Sequence, residues 1–234
     1  KNNGYTTISN NKIIHLKNDA PGSWDEEWYP YKKGWRNYIS KVNIDLENDG
    51  EHGYPYESLD VEDIAYFDGQ TAEKSISDLK KFKQDNKPFF LAVGFVKPHL
   101  PFNAPKKYWD LYDFKKIGLP ENAVFPKSAP ESARHNWGEL RYYKDIPKKG
   151  PVPDSIAKKL IHGYYAAVSY VDAQVGKVID AIDELGLRES TVIVLVGDHG
   201  WSLSEHGLWA KHSNFKVALQ VPLIISAPGI PRNK

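Results

Sequence analysis

The sequence predicts an α/β fold, a sandwich in which helices cover a sheet of apolar strands. Three short runs, at residues 88–95, 191–196 and 221–226, are continuously apolar, which is typical of strands covered on both faces. Apolar residues also recur at helical spacing over residues 62–84 and 154–187, each time just before one of these runs. Strands and helices therefore alternate along the chain.

The first part of the chain contains two further segments. Residues 5–14 alternate loosely and are rich in β-branched side chains, which predicts a strand. Residues 21–38 hold three Trp and three Tyr among Gly, Pro and charged residues, without a helical or strand period. We expect an ordered surface loop there, followed by the amphipathic helix at residues 62–84.

One long helix organises the second part of the chain. Many prolines and scattered charges at residues 113–153 predict a long connection, which in a compact domain is commonly a functional loop or an insertion. Asp154 or Ser155 is expected to cap the helix that follows, and Gly186 lies near its end.

Composition excludes several classes of function. Lys plus Arg number 31 and Asp plus Glu number 30, so the chain has no basic footprint for nucleic acid. No run approaches the roughly 18 apolar residues of a membrane span. The 234 residues contain no Cys, which excludes disulfides and a thiol nucleophile among them, and no Met. We therefore expect a part of a longer protein, with structure missing on both sides.

Polar residues follow two of the predicted buried strands, where ligands of α/β sheets gather. Asp198 and His199 come directly after the run at residues 191–196. A carboxylate suits a hard cation such as calcium, whereas an imidazole suits zinc or another transition metal. The alternative is a turn in which Asp198 accepts backbone N–H groups and Gly200 supplies a positive φ.

A cluster of polar residues follows within the same loop. It contains His206, Lys211 and His212, with Trp201 and Trp209 among them, and the tryptophans indicate partial burial. Buried polar groups normally require a partner or a ligand. This favours a functional loop over a solvated one.

His99 follows the other buried strand and lies between Pro98 and Pro101. A constrained imidazole at a strand end is suited to general acid or base catalysis, because its pKa lies near the working pH. The alternative is a histidine that caps the strand. Lys12 and His15, after the first strand, are unremarkable when taken alone.

Taken together and in order, these motifs resemble a known family. Asn3-Gly4-Tyr5 with Lys12 and His15, the stretch at residues 97–102, and the stretch at residues 197–211 are similar to the sulfatases of the alkaline-phosphatase-like superfamily, in particular the iduronate-2-sulfatase group and its bacterial relatives. The resemblance is weakest over residues 18–60 and 113–149. Asp-His-Gly alone is shared with phosphatases, so the ordered set carries the specificity.

The resemblance implies an alkaline-phosphatase-like α/β/α sandwich core, incomplete at both ends. Residues 1–234 would form the central part of the catalytic domain. Sulfatases of this group use a formylglycine, made from Cys or Ser in a Cys/Ser-x-Pro/Ala-x-Arg motif, and this chain has no such motif. The nucleophile segment and the C-terminal subdomain would lie outside these residues, and the isolated segment is expected to be inactive.

Roles at the site follow from matching positions in the family. The resemblance implies a Ca²⁺ ion held partly by Asp198 and His199, with Lys12 and Lys211 on the sulfate oxygens. His15 would serve the nucleophile as a base, and His99 would protonate the departing sugar oxygen. The expected substrate-binding residues are Lys12, His99, Trp201, His206 and Lys211.

The expected activity is hydrolysis of a sulfate ester on a uronic-acid-containing glycan. The partners are then a sulfated glycan and the rest of the same polypeptide, with no nucleic acid and no membrane span. Family compartments imply export, to the periplasm or medium in a bacterium and to the lysosome in a eukaryote. Two alternatives stay open: a metal-dependent phosphomonoesterase or phosphodiesterase, and a non-catalytic glycan-binding protein that stacks Trp24, Trp28 and Trp35 on sugars.

Overall fold

Residues 1–15, 19–31 and 34–230 are described in the computed structural model of the chain. The strands of this part are β1 (Thr6–Asn11), β2 (Glu26–Trp28), β3 (Tyr56–Leu59), β4 (Phe89–Gly94), β5 (Phe102–Pro105), β6 (Ile193–Val196), β7 (Ser202–Leu203), β8 (Trp209–Ala210) and β9 (Leu223–Ser226). The α-helices are α1 (Lys41–Asn48), α2 (Phe67–Asp85), α3 (Lys106–Trp109), α4 (Gly138–Arg141), α5 (Asp154–Glu184) and α6 (Lys216–Leu219).

A parallel sheet of three strands lies against helices α2 and α5. Strand β1 is its centre and pairs with β2 and with β4, with Ile8 opposite Leu91 of β4. The two helices share an apolar cluster that includes Leu79 and Val178, and Leu91 and Ile193 of β6 pack against it. The predicted α/β class is confirmed.

Buried amides hold β1 to helix α2. The side chain of Asn10 donates to Ser75 Oγ at 3.1 Å and to Asp78 Oδ2 at 2.8 Å, and Asn11 donates to Thr71 Oγ1 at 2.9 Å. Buried polar groups that find partners in this way specify one register of the packed elements. The carboxyl end of β1 is thereby placed at a defined height above the helix.

Helix α5 links this sheet to a second apolar cluster. It begins at Asp154, after Pro153, and ends slightly before the predicted end, with Gly186 at a φ of 64°. The second cluster lies between α5 and the loops that follow β4 and β6. It includes Leu100, Phe102, Leu140, Leu160, Trp201, Leu208 and Trp209.

Strands β6 and β9 form an antiparallel pair that is less covered than their apolar sequence predicts. Val194 and Val196 of β6 are 56% and 61% exposed, and Ile224 of β9 is 61% exposed. The prediction of coverage on both faces is wrong for this pair within the described residues. Among the described residues of this pair, Ile193 packs against the cluster on α2 and α5.

Several boundaries differ from the sequence predictions. Strand β1 ends at Asn11, whose φ of 63° is left-handed, rather than near residue 14. The predicted loop at residues 21–38 contains the short edge strand β2, which its pairing with β1 stabilises. The predicted helix from residue 62 begins with a separate 3-10 turn at Asp63–Ala65, because Tyr66 is extended.

Residues 113–153 form the predicted long connection, interrupted by short 3-10 turns and by α4. Helix α1 and the parallel pair β3–β5 were not predicted. Each of these two strands has only four residues, too few for a clear alternation. Lys32 and Lys33, inside the predicted aromatic loop, lie outside the described residues. In the part of the chain that is described, none of the helices combines the length and apolarity needed to cross a membrane.

Asp63 ties the start of α2 to α3 and α5. Its Oδ2 accepts hydrogen bonds from Tyr108 at 2.9 Å, Gln174 at 3.1 Å and Lys177 at 2.8 Å, and its Oδ1 lies 2.8 Å from Lys107 Nζ. Burial alone would raise the pKa of this carboxyl, but the hydrogen bonds from the two lysines, Gln174 and Tyr108 lower it to about 2.

We therefore expect Asp63 to contribute stability that is lost in acid. Its folded pKa is below the ordinary value of 3.8, so the contribution is present above 3.8 and disappears as the pH falls toward about 2. The difference corresponds to roughly 2 kcal/mol. In pH-dependent unfolding of the full-length protein, Asp63→Asn should flatten the loss of stability over this range, whereas the exposed control Asp45→Asn should not. An identical acid slope in Asp63→Asn and wild type would contradict this.

Candidate active site

The ends of three strands place most of the predicted site residues on one side of the fold. Lys12 follows β1, His99 lies on the turn after β4, and Asp198 and His199 follow β6. Strands β1 and β4 are parallel neighbours, so their carboxyl ends lie side by side. The strand-end prediction thus identified segments that the fold brings to a common edge.

Two buried charged residues, Asp68 and Lys97, hold the backbone on which His99 lies. Asp68 of α2 accepts from the backbone N–H groups of Val96 at 2.9 Å and Lys97 at 2.8 Å. The Lys97 ammonium donates to the carbonyls of His99 and Pro101. Burial lowers the pKa of Lys97 to about 8, against the opposing negative charge of Asp68. These contacts hold the His99 turn at one position over α2.

His99, Glu139 and Lys211 form a closed triangle. Lys211 Nζ lies 2.7 Å from His99 Nε2 and 3.0 Å from Glu139 Oε2, and His99 Nε2 lies 2.8 Å from Glu139 Oε1. The three side chains are each about one fifth exposed. They come from three separate segments, so only the tertiary fold brings them together.

Trp201 packs against this triangle and against the end of β6. Its ring centre lies 5.2 Å from that of His99, 6.1 Å from that of His199 and 5.4 Å from Lys211 Nζ. The ring is 7% exposed and also contacts Phe102. An aromatic face beside an ammonium is attractive in itself and limits the directions that the lysine side chain can take.

Lys12 and His15 contact each other at the end of β1. Lys12 Nζ lies 3.3 Å from His15 Nδ1 and 3.2 Å from the carbonyl of Ile14, and His15 is exposed. Burial lowers the pKa of Lys12; the charge of Asp198 opposes this and the charge of Lys211 adds to it. Lys12 is therefore within electrostatic range of both Asp198 and Lys211.

Asp198 and His199 present donor atoms of the predicted kind. His199 Nδ1 lies 2.8 Å from the carbonyl of Gly200, which can only accept, so Nδ1 carries the proton and Nε2 keeps its lone pair. The Asp198 side chain is 87% exposed, and its Oδ2 lies 3.6 Å from His199 Nε2.

These two residues could form only part of a calcium site. Ca²⁺ takes about six to eight ligands, mostly oxygen. Among the described residues there is no group of three or more His, Cys, Asp or Glu side chains placed to hold a metal ion. The donor set fits a divalent cation, provided that the remaining ligands come from elsewhere.

His206 lies apart from the triangle. Its ring stacks on Phe215 at 4.2 Å, and its backbone N–H donates to the carbonyl of Asn122 at 2.7 Å. Together with Glu205 and Lys216 it lines a separate cavity of about 390 Å³. Its role in substrate binding stays a prediction, since among the described residues its ring packs on Phe215 and not on His99 or Lys211.

Trp35 of the aromatic loop lies beside the site. Trp35 is 41% exposed and presents its ring edge toward His99, with centres 6.3 Å apart. Trp24 instead stacks on Phe90 at 5.7 Å, on the three-stranded sheet, and Trp28 ends strand β2. Of the three predicted sugar-stacking residues, Trp35 has the position to contact a ligand beside His99.

Glu139 is the site residue that the sequence did not reveal. It lies in the long connection, where no period marks a functional position. The available signal was Trp137 beside it, an aromatic residue in a polar, proline-rich stretch. Trp137 and Leu140 are 5% and 1% exposed, so this short piece of the connection is packed into the core.

Comparison with known proteins agrees with this geometry. The sulfatase family matches residues 1–234, the whole chain. Human iduronate 2-sulfatase is 38% identical over 242 residues, covering 98% of this chain and 44% of that protein. The chain belongs to the sulfatase family. This family member thus spans less than half the length of its curated human relative.

Solved structures confirm the alkaline-phosphatase-like fold of this sulfatase family member. A protein crystallised with its substrate D-glucosamine-2-N,6-O-disulfate matches 97% of this chain and 54% of its own, with a TM-score of 0.67 and 18% identity. The phosphonate monoester hydrolase of Silicibacter pomeroyi matches 96% of this chain and 51% of its own, with a TM-score of 0.66 and 19% identity. At these identities the likeness concerns the fold.

Proposed function

We propose that the full-length protein hydrolyses a sulfate ester on a uronic-acid-containing glycan. The observation that carries the proposal is the arrangement of His99 and Lys211 around Trp201, next to Asp198 and His199, in a chain of the sulfatase family. The Lys211 ammonium in contact with the His99 imidazole, with Lys12 within electrostatic range of Lys211, suits an anionic ester. The 38% identity to iduronate 2-sulfatase supports a sulfated uronide as the substrate.

Different residues of this chain would serve different parts of the hydrolysis. Water adds to the sulfur group overall, the bond between sulfur and the sugar oxygen breaks, and the products are a sugar alcohol and hydrogen sulfate. Lys12 and Lys211 bind the nonbridging oxygens. His99 gives a proton to the bridging oxygen, on which negative charge accumulates as the bond breaks. Such contacts strengthen in the transition state and therefore accelerate the reaction.

A divalent ion, which we propose to be Ca²⁺, would be held partly by Asp198 and His199. When bound, it supplies positive charge that polarises the ester and orients it. The nucleophile would be a formylglycine from outside residues 1–234, and His15 would act as its base. Trp201 shields one side of His99 and Lys211 from water and limits the orientation of Lys211.

The proposal is tested with the full-length protein and a panel of esters. We expect turnover of a 2-O-sulfated iduronide, weaker turnover of glucosamine 6-sulfate, and little with phosphate or phosphonate monoesters of the same alcohols. Faster turnover of the phosphorus esters would favour the metal-dependent phosphoesterase. Glycan binding without turnover of any ester would favour the non-catalytic alternative.

A further inference from the structure

Glu139 lies between His99 and Lys211, two of the side chains that the proposed reaction uses. Its Oε1 is 2.8 Å from His99 Nε2, and its two oxygens are 3.2 and 3.0 Å from Lys211 Nζ. The same ammonium is 2.7 Å from His99 Nε2. One carboxylate therefore contacts both side chains, and each of them also contacts the other.

The hydrogen bonds of His99 assign distinct roles to its two ring nitrogens. Nδ1 lies 2.7 Å from the Leu100 carbonyl, which can only accept, so Nδ1 carries a proton. Nε2 is then the nitrogen whose protonation differs between the neutral and the charged ring. In the neutral ring it accepts from Lys211, and in the protonated ring it donates to Glu139. The carboxylate is thus the acceptor for the ring form that can act as an acid.

Glu139 is an anion at neutral pH despite its burial. Burial raises the pKa of this carboxyl, but the hydrogen bond from His99 and the charges of His99 and Lys211 lower it to about 2. Its negative charge consequently offsets part of the positive charge that faces an anionic ligand. Screening by solvent is limited, because the side chain is 21% exposed.

The local structure holds Glu139 in place. Helix α4 has Leu140 in the core, and the Arg141 guanidinium lies 3.3 Å above the Trp137 ring. Arg141 also donates to the carbonyls of Pro147 and Gly150, so the connection closes on itself around this helix. A carboxylate whose backbone is fixed in this way can determine the orientation of the side chains it contacts.

We propose that Glu139 is a positioning residue, an inference that rests on the proposed sulfatase function. Its carboxylate holds the Lys211 ammonium and the His99 imidazole against each other, and it lowers the affinity of the pocket for free sulfate. It acts through those two side chains and is not itself expected to contact the reacting atoms.

The test uses Glu139→Gln, which keeps the size of the side chain and removes its charge, in the full-length protein. The turnover number for a sugar sulfate should fall by up to about 100-fold, because a displacement of reacting groups by about 1 Å can cost that much in rate. Inorganic sulfate, titrated by calorimetry, should bind at least about threefold more tightly, because an opposing charge has been removed.

The matched variants are Glu139→Asp and Glu131→Gln. The first keeps the charge and should recover part of the turnover. The second makes the same charge change on the same connection, at a side chain that is 80% exposed and paired with Arg134. It should leave both turnover and sulfate affinity unchanged.

A merely structural role of Glu139 predicts that Glu139→Gln binds inorganic sulfate more weakly, not more tightly. If Glu139→Gln weakens sulfate binding together with turnover, and Glu139→Asp recovers neither, the positioning role is overturned. Unchanged turnover and affinity would overturn it as well. A wild type that binds sulfate but hydrolyses no sulfate ester contradicts the proposed function alone, and sulfate affinity then decides the role of Glu139. A wild type that binds no sulfate contradicts both.

Discussion

Asp198→Ala in the full-length protein is expected to remove one divalent ion and almost all turnover of sulfate esters. Asp198 is an exposed carboxylate just after β6. It lies beside Nε2 of His199, the nitrogen that keeps its lone pair, and the His199 ring lies near Trp201. A hard cation binds such an oxygen strongly. A metal worth several kcal/mol of transition-state stabilisation corresponds to a loss of at least about 10³-fold in rate.

The measurement is metal content by mass spectrometry, made alongside the rate. Asp180→Ala, at an exposed carboxylate on α5, is the matched control and should keep both the ion and the activity. Equal metal content in Asp198→Ala and wild type would contradict the assignment. Zinc or manganese in place of calcium would keep Asp198 as a ligand and favour the phosphoesterase alternative, for which imidazole is a suitable ligand.

The helices and the apolar strands could be predicted because their signals are local. Leu79 and Phe82 of α2 follow helical spacing, and β6 is a short run rich in β-branched residues. Both patterns can be read from neighbouring residues alone. The polar residues that follow such strands were then natural candidates for a site. This logic made His99, Asp198 and His199 candidate site residues from the sequence alone.

Other parts of the fold depend on partners that are distant in sequence. Strand β2 has three residues and exists because β1 offers it an edge. Asn10 and Asn11 occupy buried positions of β1 only because Ser75, Asp78 and Thr71 of α2 accept their hydrogen bonds. Periodicity could not reveal such pairs, since each partner alone is an ordinary polar residue.

The same reasoning explains why Glu139 was missed and Lys211 was not. Lys211 lies close in sequence to Asp198 and His199, so proximity along the chain pointed to it. Glu139 is 72 residues away from Lys211 and reaches it only when the connection folds over β8. The resemblance to the sulfatase family was also weakest over this connection, so the family pattern supplied no signal there.

His99→Ala should slow the hydrolysis of a sugar sulfate by about 10² to 10⁴, the usual contribution of a general acid. The turn that carries His99 is held by the buried Asp68 and Lys97, and its ring packs on Trp201 beside Lys211. The imidazole therefore has a defined position from which to protonate a leaving oxygen. A sugar alkoxide is a poor leaving group and depends on that proton.

An aryl sulfate provides the contrast, because a phenolate departs without protonation. The same His99→Ala protein should therefore hydrolyse an aryl sulfate with a much smaller loss than it shows for the sugar sulfate. Both substrates are compared in one preparation, with metal content measured so that loss of the ion is not mistaken for loss of the acid. If both reactions slow by the same factor, His99 only binds sulfate or orients Lys211. The general acid would then be one of Lys211, His206 and His212. Of these three, Lys211 is the one that contacts the His99 imidazole in the wild type.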